Sequence, residues 1–77
     1  MKKIKMIWDM RGGDAKGMAE HHAIHLKEYA EKFDIALHDA GIEEVNDMYT
    51  LAFMIIDEKD MITVRDNLRP HRAEYAE

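Results

Sequence analysis

The stretch Thr50-Leu51-Ala52-Phe53-Met54-Ile55-Ile56 decides the fold of this chain. Successive side chains of a β-strand point to opposite faces of the sheet, and both alternating sets in this stretch are rich in large apolar residues. A strand of that kind is buried on both faces. We therefore predict that the run from Tyr49 to Ile56 is a central strand.

The segments next to this run predict two more strands. Residues 42 to 48 form a second extended run, and Asn46-Asp47 is the best candidate for a turn or bulge before the central strand. Residues 3 to 10 alternate, which predicts a first strand with one buried face. The side chains on that buried face are Ile4, Met6, Trp8 and Met10.

A long amphipathic helix is predicted from Ala15 to Ala40, where apolar residues recur at helical spacing. Asp14 would cap its N-terminus, after the turn formed by Arg11-Gly12-Gly13. Gly41 would then be the glycine that ends the helix. The alternative is a break near Asp34, with an extended segment beginning there.

A second helix is predicted after the central strand, with Asp57 as its cap and acidic residues in its first turn. Met61, Val64 and Leu68 form its inner stripe. Arg69-Pro70 ends it, because proline pushes the preceding residue out of helical geometry. The last residues, 71 to 77, suit a tail, a short edge strand or an arm that lies on a partner.

This element order predicts an α+β fold, ferredoxin-like β-α-β-β-α with an antiparallel sheet and both helices on one face. The last strand is expected to be short or absent. Residues 1–77 form one domain in this interpretation, with 70–77 as a tail or short edge strand.

The chain resembles the small ferredoxin-like domains that pair as dimeric α/β barrels. The resemblance lies in the opening Lys5-Met6-Ile7-Trp8-Asp9-Met10-Arg11, the long helix, and the apolar strand before an acid-capped second helix. Such families include cofactor-free mono-oxygenases, isomerases and sugar mutarotases. The resemblance thus implies a fold and a dimer, but no single activity.

Composition excludes several classes of chemistry. The 77 residues include no cysteine and no serine, so disulfides, cysteine zinc sites, thiol nucleophiles and serine nucleophiles are all excluded. A formal charge of −5 argues against a nucleic-acid or anionic-membrane surface. No signal-peptide core or membrane-spanning run is evident, and the expected location is the cytoplasm.

A homodimer is predicted from the two apolar faces of the central strand. Two helices cover one face of a sheet, and Ile7 interrupts the polar face of the first strand, so the second face needs a cover. A second copy of the chain would supply it. The alternative is a monomer whose C-terminal arm covers that face.

His22 is the candidate catalytic base, because the helical wheel places it in the apolar stripe of the long helix. The resemblance implies a cleft between helix and sheet that binds a small apolar substrate without a cofactor. Tyr29 and Arg11 would complete the catalytic set, with Arg11 steadying an oxyanion. The pocket would be lined by Trp8, Phe33 and Met18. The alternative is that His22 is a structural histidine at the edge of the core.

His21 and His25 are one helical turn apart, with Glu28 one turn further on, and could share zinc or another divalent transition metal. A third ligand would come from Glu28, His38, His71 or a partner chain. A solvated helix flank is the competing interpretation. A structural or regulatory dimer without a ligand is the third possible function, beside catalysis by His22 and metal binding. The sequence is compatible with all three.

Overall fold

A computed structural model describes residues 2–76. The elements follow the order β1 (Lys3–Arg11), α1 (Ala15–Lys32), β2 (Leu37–Asn46), β3 (Tyr49–Asp57), α2 (Met61–Leu68) and β4 (Arg72–Ala76), with a 3-10 turn at Glu58–Asp60. The strands form one sheet in the order β2-β3-β1-β4, and every neighbouring pair is antiparallel. This is the ferredoxin-like arrangement, as predicted.

The core lies between the sheet and the two helices, which share one face. β1 and β3 occupy the centre of the sheet, and their alternate side chains point toward the helices. Met54, Ile56 and Val64 have no exposed surface. The other large residues of this core are Ile4, Met6, Trp8 and Leu26. The prediction of a central strand at Tyr49–Ile56 is therefore confirmed.

The single helix predicted from Ala15 to Ala40 is wrong in its last two turns, and the alternative, a break near Asp34, is what the structure shows. α1 ends at Lys32, because Asp34 adopts the left-handed conformation with φ of 56°. The Ile35 amide donates to the Ala30 carbonyl at 2.8 Å, and the Asp34 amide donates to the Glu31 carbonyl at 3.4 Å. This is the Schellman pattern, with aspartate at the position that glycine usually fills.

β2 begins at Leu37, so the predicted role of Gly41 as a helix-ending glycine is also wrong. Gly41 is a strand residue opposite Phe53. The predicted turn after Asn46 is present, and the Met48 amide donates to the Asn46 side chain at 2.9 Å. Asx turns of this kind favour asparagine at hairpin ends.

The second helix starts later than predicted. Asp57 ends β3, and its carboxylate contacts His38 instead of capping the helix. The inner stripe is as predicted, since Val64 is buried and Met61 and Leu68 pack against the core. Arg69 leaves helical geometry before Pro70, with φ of 47°.

The C-terminal segment is the short edge strand β4. It pairs with β1 from Ile7↔Arg72 to Lys3↔Ala76. This pairing uses the backbone of β4 at the edge of the sheet, so the strand does not lie across the open face. The open face is the sheet surface opposite the helices.

Candidate functional site

His22 lies against Trp8 at the boundary between α1 and the sheet. The two rings are 5.0 Å apart between centroids, and His22 Nε2 is buried without a hydrogen-bond partner among residues 2–76. Burial lowers the pKa of His22, and the nearby His25, His71 and His21 lower it further. The imidazole is therefore neutral at neutral pH, as a base requires.

Trp8 anchors two elements to each other. It is 3% exposed, and its indole N–H donates to the Leu68 carbonyl at 2.9 Å. That bond satisfies a carbonyl at the end of α2, where helices leave carbonyls without partners. Trp8 therefore packs β1 against α2, whereas the sequence predicted that it lines a pocket.

The other predicted pocket residues lie at the surface. Phe33 is 53% exposed and Met18 is 43% exposed. The Tyr29 ring packs on Phe33 at 4.7 Å, and the Tyr29 hydroxyl accepts a hydrogen bond from the Asn67 amide at 2.7 Å. Tyr29 therefore links α1 to α2 near solvent.

Arg11 lies on the opposite side of the sheet from His22. It pairs in register with Tyr49, and its guanidinium lies 4.1 Å from the centroid of the Tyr49 ring. The structure thus brings His22 and Trp8 together but does not bring Arg11 to them. Trp8 and Arg11 have opposite parity in β1, which extends one residue past the predicted strand and into the predicted turn.

The two predicted metal-ligating histidines are neighbours. Their ring centroids are 4.4 Å apart, and both side chains are exposed on α1. His38 instead binds Asp57 on the open face and does not join this pair. No group of three side chains of His, Cys, Asp or Glu in residues 2–76 is placed to hold a metal ion. The geometry offers a pair of ligands.

A polar cluster of Asp9, Tyr49 and Arg72 lies on the open face, and the sequence analysis missed it. The Tyr49 hydroxyl donates to Asp9, while Arg72 binds both oxygens of Asp9 at 3.2 and 3.3 Å. The hydrogen bonds from Arg72 and, more weakly, Tyr49 lower the pKa of Asp9 against the opposing effect of burial. The backbone amide of Asp9 also donates to His71 Nδ1 at 2.8 Å.

The sequence carried one signal for this cluster. Asp9 is an acid on the polar side of an alternating strand, and such a carboxylate, once half-buried, needs a partner. The partner comes from β4, which is remote in sequence. Only the pairing of Ile7 with Arg72 brings the guanidinium within reach.

Apolar side chains occupy the middle of the open face. Ile7 and Leu51 are 1% and 5% exposed, whereas Phe53 and Ile55 are half-buried. Lys5 crosses this row, with its ammonium 4.7 Å from the Phe53 ring centroid and in contact with Glu43. We call Ile7, Leu51, Phe53 and Ile55 the apolar row.

A hydrogen bond between His38 and Asp57 closes one end of the row. His38 Nε2 lies 2.7 Å from Asp57 Oδ1. Asp57 is buried, and the hydrogen bond from His38 lowers the pKa of its carboxyl group. The open face therefore has an apolar centre between charged groups of both signs, which is the composition of an interface core and rim.

A small cleft of about 120 Å³ lies on the helix side of the sheet, between β4 and α2. It is lined by Ile4, Met61, Ala73, Glu74 and Tyr75. None of the predicted site residues lies in it.

The chain matches no protein-family profile, no curated protein and no solved structure. Among the described residues, no helix has both the length and the apolar character needed to cross a membrane. Function must therefore be argued from the geometry.

Proposed function

We propose that the protein works as a homodimer in which the open faces of two copies pack together. The observation that carries this proposal is the apolar row, which sits on the sheet face that neither helix covers. A C-terminal arm was the competing cover for this face. Because the C-terminal segment pairs with β1 as strand β4 at the edge of the sheet, it does not cover the open face.

Packing would complete the burial of Phe53 and Ile55 in each copy. Full burial of such a side chain is worth about 1.5–3 kcal/mol, and a symmetric contact takes up four of them. Phe53 and Ile55 are half-buried in the single chain, so part of this gain is still available. The charged groups around the row then set which orientation is stable.

A lysine at Ile55 tests the proposal. The side chain at position 55 points away from the helices, so Ile55→Lys would place a charge at the centre of the contact and leave the core intact. We expect the variant to sediment as a monomer at micromolar concentrations where the wild type is a dimer. Ile24→Lys is the matched control, because Ile24 is 55% exposed on α1.

The milder Ile55→Thr keeps a β-branched side chain and guards against loss of folding. It should also weaken association, with an unchanged circular dichroism spectrum. Equal mass for the wild type and both position-55 variants would contradict the proposal.

A second candidate function is metal binding through His21 and His25, which the separation of 4.4 Å between their rings favours. Two exposed imidazoles one turn apart hold a divalent transition metal between them and leave its other positions to water. Zn²⁺ titrated against the untagged protein should raise its melting temperature. His25→Ala should remove that rise, and His38→Ala should keep it. A rise that survives His25→Ala would contradict the assignment.

Proton transfer by His22 remains a prediction with narrower support. The neutral, unpartnered imidazole favours it. The distance of Arg11 on the other sheet face removes the oxyanion partner that the sequence suggested.

A further inference from the structure

Charges on the open face are segregated by strand. Residues opposite each other on neighbouring antiparallel strands share a face. β2 contributes the acids Asp39 and Glu43, which pair with Ile55 and Leu51. β1 contributes three bases, Lys3, Lys5 and Arg11.

The one acid of β1 on this face is Asp9, and Arg72 neutralises it. Glu74 of β4 is a second acid on this side and pairs in register with Lys5. The open face therefore has an acidic β2 side and, on β1 with β4, a side where four bases outnumber two acids, with most of the apolar row on β3 between them.

Two symmetric arrangements keep the strands of two packed sheets aligned, as sheet packing prefers. A two-fold axis parallel to the strands and passing over β3 places β2 of one copy over β1 of the other. A two-fold axis perpendicular to the strands, in the plane of the interface, places β2 over β2 and β1 over β1. The first arrangement sets Asp39 against Lys5 and Glu43 against Asp9, whose charge Arg72 already neutralises. The second sets the acidic β2 side of one copy against the same acidic side of the other.

Resting on the proposed homodimer, we infer that its two-fold axis runs parallel to β3, so that each acidic β2 side faces the partner's basic β1 side. The register supports a specific contact. Lys5, Ile55 and Asp39 lie in one row across the sheet. A parallel axis through β3 sets each row against the same row of the second copy, which brings Lys5 of one copy to Asp39 of the other.

Both side chains are placed to form this contact between the two copies. Within the described residues, the Asp39 carboxylate accepts one hydrogen bond, from the neighbouring Ala40 amide. Lys5 already reaches across Phe53 toward β2 within its own chain. The same extended side chain can bind an acid of the facing β2, and charge pairs of this kind fix the register of an interface.

Charge reversal at this contact is the test. Lys5→Glu alone and Asp39→Lys alone each turn two attractive pairs of the dimer into repulsive ones. We expect the dissociation constant of the dimer to rise at least about tenfold in either variant at low salt. The double variant, Lys5→Glu with Asp39→Lys, restores opposite charges and should recover most of the wild-type affinity.

Lys27→Glu is the matched control, because it changes the net charge equally on the exposed side of α1. A dimer unaffected by Lys5→Glu, or a double variant as weak as the single ones, would overturn the parallel axis while leaving the homodimer in place. A wild type that is monomeric throughout would instead overturn the proposed function itself.

Discussion

At the scale of single residues, His22 shows which features the sequence could place and which it could not. Sequence spacing placed it in the apolar stripe of α1, with the edge of the core as the alternative, and the structure has it half-buried against Trp8. Its neighbours could not be placed, because Trp8 reaches it from a strand and His71 from beyond α2. Arg11 was expected in a turn near His22, but β1 continues to Arg11 and places it on the open face beside Tyr49. Which side chains meet across different elements depends on the register of strand pairing, and the sequence does not show that register directly.

The pH dependence of stability follows from His22. Its folded pKa lies below the ordinary value of 6.5, so the unfolded chain binds a proton more readily. The free energy of unfolding should therefore fall as pH drops below about 6.5. Urea titrations from pH 8 to pH 5 measure it.

His22→Phe keeps a ring against Trp8 and removes the titrating group. It should flatten this part of the pH profile, whereas His21→Phe, which removes only the smallest of the contributions that lower the His22 pKa, should keep most of the wild-type slope. Parallel profiles for the wild type and His22→Phe would rule out His22 as the cause. The paired carboxylates Asp9 and Asp57, whose pKa values are lowered, act in a separate window below their ordinary value of 3.8.

At the scale of elements, the end of α1 is where sequence reasoning failed. Phe33 and Leu37 continue the helical spacing past Lys32, so the periodicity favoured one long helix over the alternative, a break near Asp34, which the structure shows. The register shift between Leu37 and Asp39 then disturbed the alternation that would have revealed β2. The left-handed residue is Asp34, which lacks the usual glycine signal.

Gly41→Ala distinguishes the strand from the predicted helix end. A Cβ at Gly41 would lie 3.6 Å from the Phe53 ring, an ordinary contact, and its backbone is not left-handed. We expect the free energy of unfolding in dilute protein to rise by about 0.5 kcal/mol. Gly12→Ala is the control and should lower it, because Gly12 has φ of 112°. Destabilisation by Gly41→Ala would favour a glycine-dependent turn there.

At the scale of the whole molecule, the order of elements was predictable and the chemistry was not. The apolar run at β3 predicted the centre of the sheet, and the helical pattern after it predicted the second crossover helix, although Asp57 does not cap that helix. Both depend on local periodicity, which a sequence displays directly. The clusters on the open face depend on four strands meeting in register, and the charge segregation between β1 and β2 emerges only from that meeting.

The central claim is that two copies of this chain join through the open face. Sedimentation equilibrium of the wild-type protein over a concentration series tests it most directly. We predict a mass of twice the 9.0 kDa chain at micromolar concentration, falling toward the single-chain mass on dilution. A mass of 9.0 kDa at every concentration, with the protein fully folded, would contradict the claim.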